Sequence, residues 1–304
     1  MKAMRTATPA NFDPEALARL EGLELRARYI VDGYLTGQHR SPYRGQSVEF
    51  AEHREYAAGD DTRYVDWKVF GKTDRLYLKQ FEAETNLTCY LLLDASESMQ
   101  YRGPSASLSK LEYAECLAAA LAHLVIRQRD SVGLATFDDQ LRSFLPASGN
   151  PAHLEQLVHI MEQSAGRGKS DLGKPLHEAA ERLRRRGVVI VLSDLLGDVD
   201  SFLWGLRRLR HRRHEVIVLQ VLDAAELEFP FERATLFRGL EDMPDVLAEP
   251  HAVRRAYLAA LRKFLDKVQA GCRGNDVDYQ LARTDQPLDA PLRQLLTSRA
   301  RRRI

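Results

Sequence analysis

Residues 89–99 read CYLLLDASESM, and this stretch decides the fold. The apolar run Tyr90–Leu93 has the unbroken character of a strand buried on both faces, as parallel sheets require. It ends in Asp94, and two hydroxyls follow at alternate positions, Ser96 and Ser98. A looped backbone can aim all three oxygens at one point. One carboxylate with neutral hydroxyls is hard-oxygen chemistry, suited to Mg2+ or Mn2+ and poor for soft metals. With only one carboxylate nearby, such an ion keeps much of its charge and still attracts an acid from outside. Taken alone, the stretch is also compatible with phosphate chemistry.

Outward from it, strands and helices alternate. Strand Cys89–Asp94 is followed by a helix over 109–128, a strand at Ser131–Phe137 and its hairpin partner at Leu141–Leu145. Helices are expected over 152–163 and from Ser170 or Asp171 to Arg186, with Gly187 as the stop. Strand Val188–Ser193 (VVIVLS), a helix over 200–212 and strand Glu215–Leu222 come next. Residues 224–250, with Pro230, Pro244 and Pro250, read as an irregular excursion. A helix over 252–270, a strand at Asp278–Ala282 and a short helix after Pro287 close the chain. The expected fold is α/β, with a doubly wound, mostly parallel sheet flanked by helices over 87–304. Residues 1–86 are expected to form an irregular α/β segment packed on that core. It has a helix over 14–35, then a polar stretch with short strands near Ser47–Phe50 and Leu76–Phe81.

In a doubly wound sheet, ligands bind outside the carboxyl ends of the strands. Asp94 and Asp194 stand at two such ends, and Ser170 and Asp171 open a helix after the loop Gly166–Lys169. Three separate segments therefore converge on one edge. Rival motifs fit less well. A P-loop needs Gly five residues before Gly168, where Gln163 stands. A phosphatase forming an aspartyl-phosphate wants a second acid two residues after the first, where Ser96 stands, although Ser193, Asp194 and Lys174 keep a Mg2+-dependent phosphatase or hydrolase as the alternative. The serine-hydrolase elbow is absent. His211 and His214 have helical metal-pair spacing, but they lie in an Arg-rich helix and read as surface residues.

The chain has 304 residues with 44 basic and 43 acidic side chains, which argues against a general nucleic-acid or membrane-surface binder. The runs Arg182–Arg186, Arg207–Arg213 and Arg299–Arg303 read as solvated helix faces and a loose terminus. Three cysteines show no metal or disulfide spacing, and Cys89 and Cys116 read as core. No apolar run approaches the ~20 residues of a membrane span, and no signal-peptide core is seen, so the chain reads as cytoplasmic.

Asp94, Ser96 and Ser98, Ser170 after a Gly-rich loop, and Asp194 after an apolar strand resemble the von Willebrand factor A domain. The resemblance implies a metal-ion-dependent adhesion site. Ser96 and Ser98 would ligate Mg2+, Ser170 would take the place usually held by Thr, and Asp94 and Asp194 would act directly or through water. A partner's Glu or Asp would complete the octahedron. Upstream, Arg44-Gly45-x-Ser47-x-Glu49-Phe50, Arg54-x-Tyr56-x-x-Gly59-Asp60-Asp61-x-Arg63-x-x-Asp66-Trp67 and Leu78-Lys79-x-Phe81-Glu82 resemble the bacterial family called domain of unknown function 58. That family is often encoded beside MoxR-type AAA+ ATPases. The resemblance implies an adaptor or substrate recruiter for such an ATPase, not an enzyme; no His falls in the three motif loops. Physically, Gly59–Asp61 suits a turn. Arg54, Arg63 and Lys79 can pair with Asp60, Asp61, Asp66 and Glu82, with Tyr56, Trp67 and Phe81 as anchors.

Overall fold

The computed structural model describes residues 22–38, 53–55, 67–73, 75–79, 87–164, 171–240 and 243–302. Contacts divide the chain into two units, Met1–His39 with Leu87–Ile304, and Arg40–Asn86. In the smaller unit, β1 (His53–Glu55) pairs antiparallel with β2 (Tyr77–Lys79), and a short helix, Trp67–Thr73, sets the Trp67 ring edge-on to Phe70. The charge network expected around Arg54, Asp60, Asp61, Arg63, Asp66, Lys79 and Glu82 lies outside the residues whose side chains are described.

The larger unit holds helix α1 (Leu23–Gln38) and a six-stranded sheet. The strands are β3 (Thr88–Asp94), β4 (Ser131–Phe137), β5 (Leu141–Ser148), β6 (Val188–Ser193), β7 (Glu215–Leu222) and β10 (Asp278–Arg283), in the order β10-β7-β6-β3-β4-β5. All neighbours are parallel except β4 and β5, a hairpin. The chain winds outward from β3 to β5, then returns beside β3 and winds the other way through β6, β7 and β10. The direction of winding therefore reverses between β3 and β6, where doubly wound sheets open a binding crevice.

Alternation along the strands feeds two cores. Cys89, Leu91 and Leu93 face one side with Ile190 and Leu192; Tyr90 and Leu92 face the other with Val189 and Val191. The first side is covered by α1, α2 (Lys110–Arg127), α3 (His153–Glu162) and α8 (Asp289–Arg302). The second is covered by α4 (Gly173–Arg182), α5 (Val199–His211) and α7 (Pro250–Gly274). Helix α2 has five fully buried alanines (Ala114, Ala118, Ala119, Ala120 and Ala122), which let its backbone approach the sheet closely. Ser109 and Glu112 close a reciprocal capping box at its start. Helix α1, grouped with the following segment in the sequence reading, buries Leu23, Ala27, Ile30 and Val31 in the sheet unit's core.

Four expectations change. Helix α4 ends at Arg182, not Arg186, because Leu183 turns extended (φ −73°, ψ 102°) and buries its side chain. Gly187 is needed for another reason: a Cβ there would come within 2.1 Å of the Thr88 carbonyl oxygen at the start of β3. His214 is buried, edge-on to Tyr90, while His211 is exposed. The excursion after β7 contains helix α6 (Ala224–Glu228) and a hairpin of β8 (Thr235–Phe237) and β9 (Val246–Ala248). A ring cluster of Phe229, Phe231, Phe237 and Tyr257 organises it. Among the described residues, no helix is long and apolar enough to cross a membrane.

Candidate metal centre

The parallel register sets Leu93 opposite Leu192, so Asp94 comes level with Ser193 and Asp194 stands one residue beyond. Both carboxylates stand at the carboxyl ends of the two strands between which the winding reverses, and both are fully buried. Asp94 is satisfied by neutral donors. The Ser96 N–H donates to its Oδ1 at 2.9 Å, and the Ser193 hydroxyl donates to its Oδ2 at 2.5 Å. A 3-10 turn over Glu97–Gln100 then curls the chain, leaving Ser96 and Ser98 buried with their hydroxyl oxygens 3.1 Å apart.

Asp194 is held differently. Its Oδ1 accepts from the Leu196 N–H at 3.0 Å, and its Oδ2 accepts from the ammonium of Lys110 at 2.8 Å. Leu195, between them, takes a left-handed φ of 60°, a cost of about 1–2 kcal/mol for a residue with a Cβ. Its N–H donates to Ser193 Oγ at 2.9 Å, and the Gln220 side chain donates to the Asp194 carbonyl at 2.8 Å. The turn is thereby bound on three sides. Lys110 also donates to Glu226 Oε1 at 2.7 Å, and the other Glu226 oxygen caps the Asp223 N–H at 2.8 Å.

The electrostatics follow from burial. Loss of solvent and the neighbouring Asp194 charge push the Asp94 pKa up to about 7, against the opposing hydrogen bonds from Ser193 and Ser96. Burial likewise raises Glu226, although Lys110 opposes it. Burial alone would lower the lysine; Asp194 and Glu226 outweigh that and hold it above its ordinary value.

Asp94, Ser96, Ser98 and Asp194 thus come to one edge. Ser170 lies outside the described residues. Asp171, beside it, accepts from the Gly173 N–H at 3.2 Å and faces Lys174 at 3.3 Å. The donors that are present fit a hard divalent ion. Two cis ligands of Mg2+ at ~2.1 Å lie about 3.0 Å apart, close to the observed Ser96–Ser98 separation. Among the described residues no cluster of three or more His, Cys, Asp or Glu has metal-holding geometry, so the candidate centre depends on hydroxyls.

Lys110 and Glu226 were missed by the sequence reading. One signal was available: Lys110 opens a helix between Leu108 and Leu111, where the helix dipole disfavours a cation. Glu226 carried no comparable signal.

Among solved structures, the chain is similar to the conserved hypothetical protein BatB from Bacteroides thetaiotaomicron, at 16% identity over 71% of this chain and 99% of that one, with a TM-score of 0.45. It is also similar to the SpRpn10 VWA domain, at 14% identity over 69% and 95%, with a TM-score of 0.40. Two curated relatives, uncharacterized protein Rv1480 of Mycobacterium tuberculosis and uncharacterized protein Mb1516 of Mycobacterium bovis, are each 30% identical over 296 residues. The matches span 94% of this chain and 86% of each relative. Residues 52–264 match the model of the protein family of unknown function DUF58, and the chain belongs to that family.

Proposed function

We propose that this chain is a metal-dependent protein-interaction module. The observation that carries the reading is the pair of buried hydroxyls, Ser96 and Ser98, 3.1 Å apart beside the buried carboxylates of Asp94 and Asp194. Asp94, Ser96, Ser98, Asp194 and Ser170 would hold Mg2+ or Mn2+, which supplies an electrophilic position for a partner's Glu or Asp carboxylate. Asp94 orients the Ser96 turn through the backbone N–H, and Ser193 fixes the carboxylate that does so. The partner class that best fits the family resemblance is a MoxR-type AAA+ ATPase, with this chain as adaptor or substrate recruiter.

A Mg2+-dependent phosphatase has less support. Ser96 occupies the place of an acid–base partner, and both Asp94 oxygens already accept hydrogen bonds. The test is capture of a purified MoxR-type AAA+ ATPase, in Mg2+ and in EDTA, using wild type, Asp94→Ala and Ser98→Ala. Capture lost in EDTA and in both variants is expected; capture unchanged in all three conditions would sink the reading. Mg2+-dependent turnover of p-nitrophenyl phosphate, abolished by Asp94→Asn, would favour the phosphatase.

A further inference from the structure

Lys110 is placed where two forces oppose it. It begins α2, so the helix's own field repels its charge. It is also wholly buried, and a buried ammonium costs several kcal/mol unless it is paired. Both costs are offset by two carboxylates, Asp194 at 2.8 Å and Glu226 at 2.7 Å, with the Tyr101 ring 5.8 Å away. Asp194 is wholly buried, while the Glu226 side chain keeps 16% of its surface exposed. Glu226 is moreover tied through its second oxygen to the start of α6, so the ammonium is fixed from both sides. One of the two carboxylates it engages is a candidate ligand of the ion; the other stands behind it.

We propose that Lys110 is a positioning residue that sets how strongly the centre holds its metal. This rests on the metal reading above. The ammonium occupies Asp194 Oδ2 and opposes a divalent ion nearby, so the ion relies on hydroxyls and on Asp94. An ion held this weakly keeps its charge, and a partner's acid is then needed to complete it. Without the ammonium, Asp194 and Glu226 become two uncompensated charges that the ion can neutralise. Metal binding tightens, and the demand for an outside acid falls.

The test measures Mn2+ binding to the full chain by electron paramagnetic resonance of the free ion. Lys110→Met should bind Mn2+ about tenfold more tightly or better. Glu226→Gln keeps the oxygen that caps α6 but removes a charge that is not a ligand, and should bind several-fold more weakly. The double variant should return to within about threefold of wild type. A purely structural role for Lys110 predicts no such opposite shifts. Circular dichroism checks folding, and if Lys110→Met does not fold, Glu226→Gln and the double variant carry the test. Wild-type binding with every folded variant within about twofold of it overturns this inference and leaves the metal reading standing. No Mn2+ bound by any form at millimolar concentration overturns both. Binding by Lys110→Met but not by wild type supports the inference and overturns capture through a resident ion.

Discussion

Two neighbouring strand ends carry the same residue and treat it in opposite ways. Asp94, ending β3, is surrounded by neutral donors: one backbone N–H and one hydroxyl. Asp194, just past β6, is paired with a full positive charge. Both are completely buried, yet they contribute differently to the fold. Asp194 is part of a buried ion network whose members depend on one another. Asp94 is a carboxylate that burial and the Asp194 charge make reluctant to ionise. A buried acid that is costly in the apo protein is well suited to a ligand whose charge an arriving cation would offset.

The comparison can be tested from its strong side to its weak side. Asp194→Asn leaves Lys110 with Glu226 alone, and should destabilise the protein by about 3 kcal/mol in EDTA, read by urea unfolding. Ser193→Ala removes the donor to Asp94 and the acceptor of the Leu195 N–H, for about 1–2 kcal/mol in the same assay. Asp94→Asn should cost the least, under about 1 kcal/mol near neutral pH, because it also removes repulsion with Asp194. All three should weaken Mn2+ binding, so stability and affinity would rank the residues differently. If Asp94→Asn destabilised the apo protein as much as Asp194→Asn, the contrast would be broken.

A pH series sharpens the same contrast. Asp94 is raised from 3.8 to about 7, so the folded protein holds this proton more tightly than the unfolded chain does. Its contribution favours folding at low pH and is lost as pH rises from about 4 to about 7. The slope of apo stability over that window should therefore differ between wild type and Asp94→Asn, with the wild type losing more as pH rises. Parallel slopes would mean that Asp94 ionises freely.

Much of this was legible in the residues. The runs at β3, β6 and β7 are apolar on both faces, and only a buried parallel strand satisfies such a pattern. Asp94 and Asp194 were visible because a carboxylate ending such a run sits at a sheet edge. The start of α2 was visible from its capping serine, Ser109. The sequence misled where a local signal had a distant cause. Gly187 looked like a helix stop, but the constraint on it is the Thr88 backbone of a neighbouring strand. His214 looked exposed from its Arg-rich surroundings, yet the turn after α5 folds it against Tyr90.

By itself, then, the sequence determined the strands of the six-stranded sheet, their burial and the oxygen-bearing residues at their ends, because each depends on periodicity and on residues close in the chain. Only the tertiary structure decided which charges meet. Lys110 pairs with Asp194, 84 residues away, and with Glu226, 116 residues away. An ion pair is set by distance and solvent exclusion in space, and neither leaves a periodic trace in the chain.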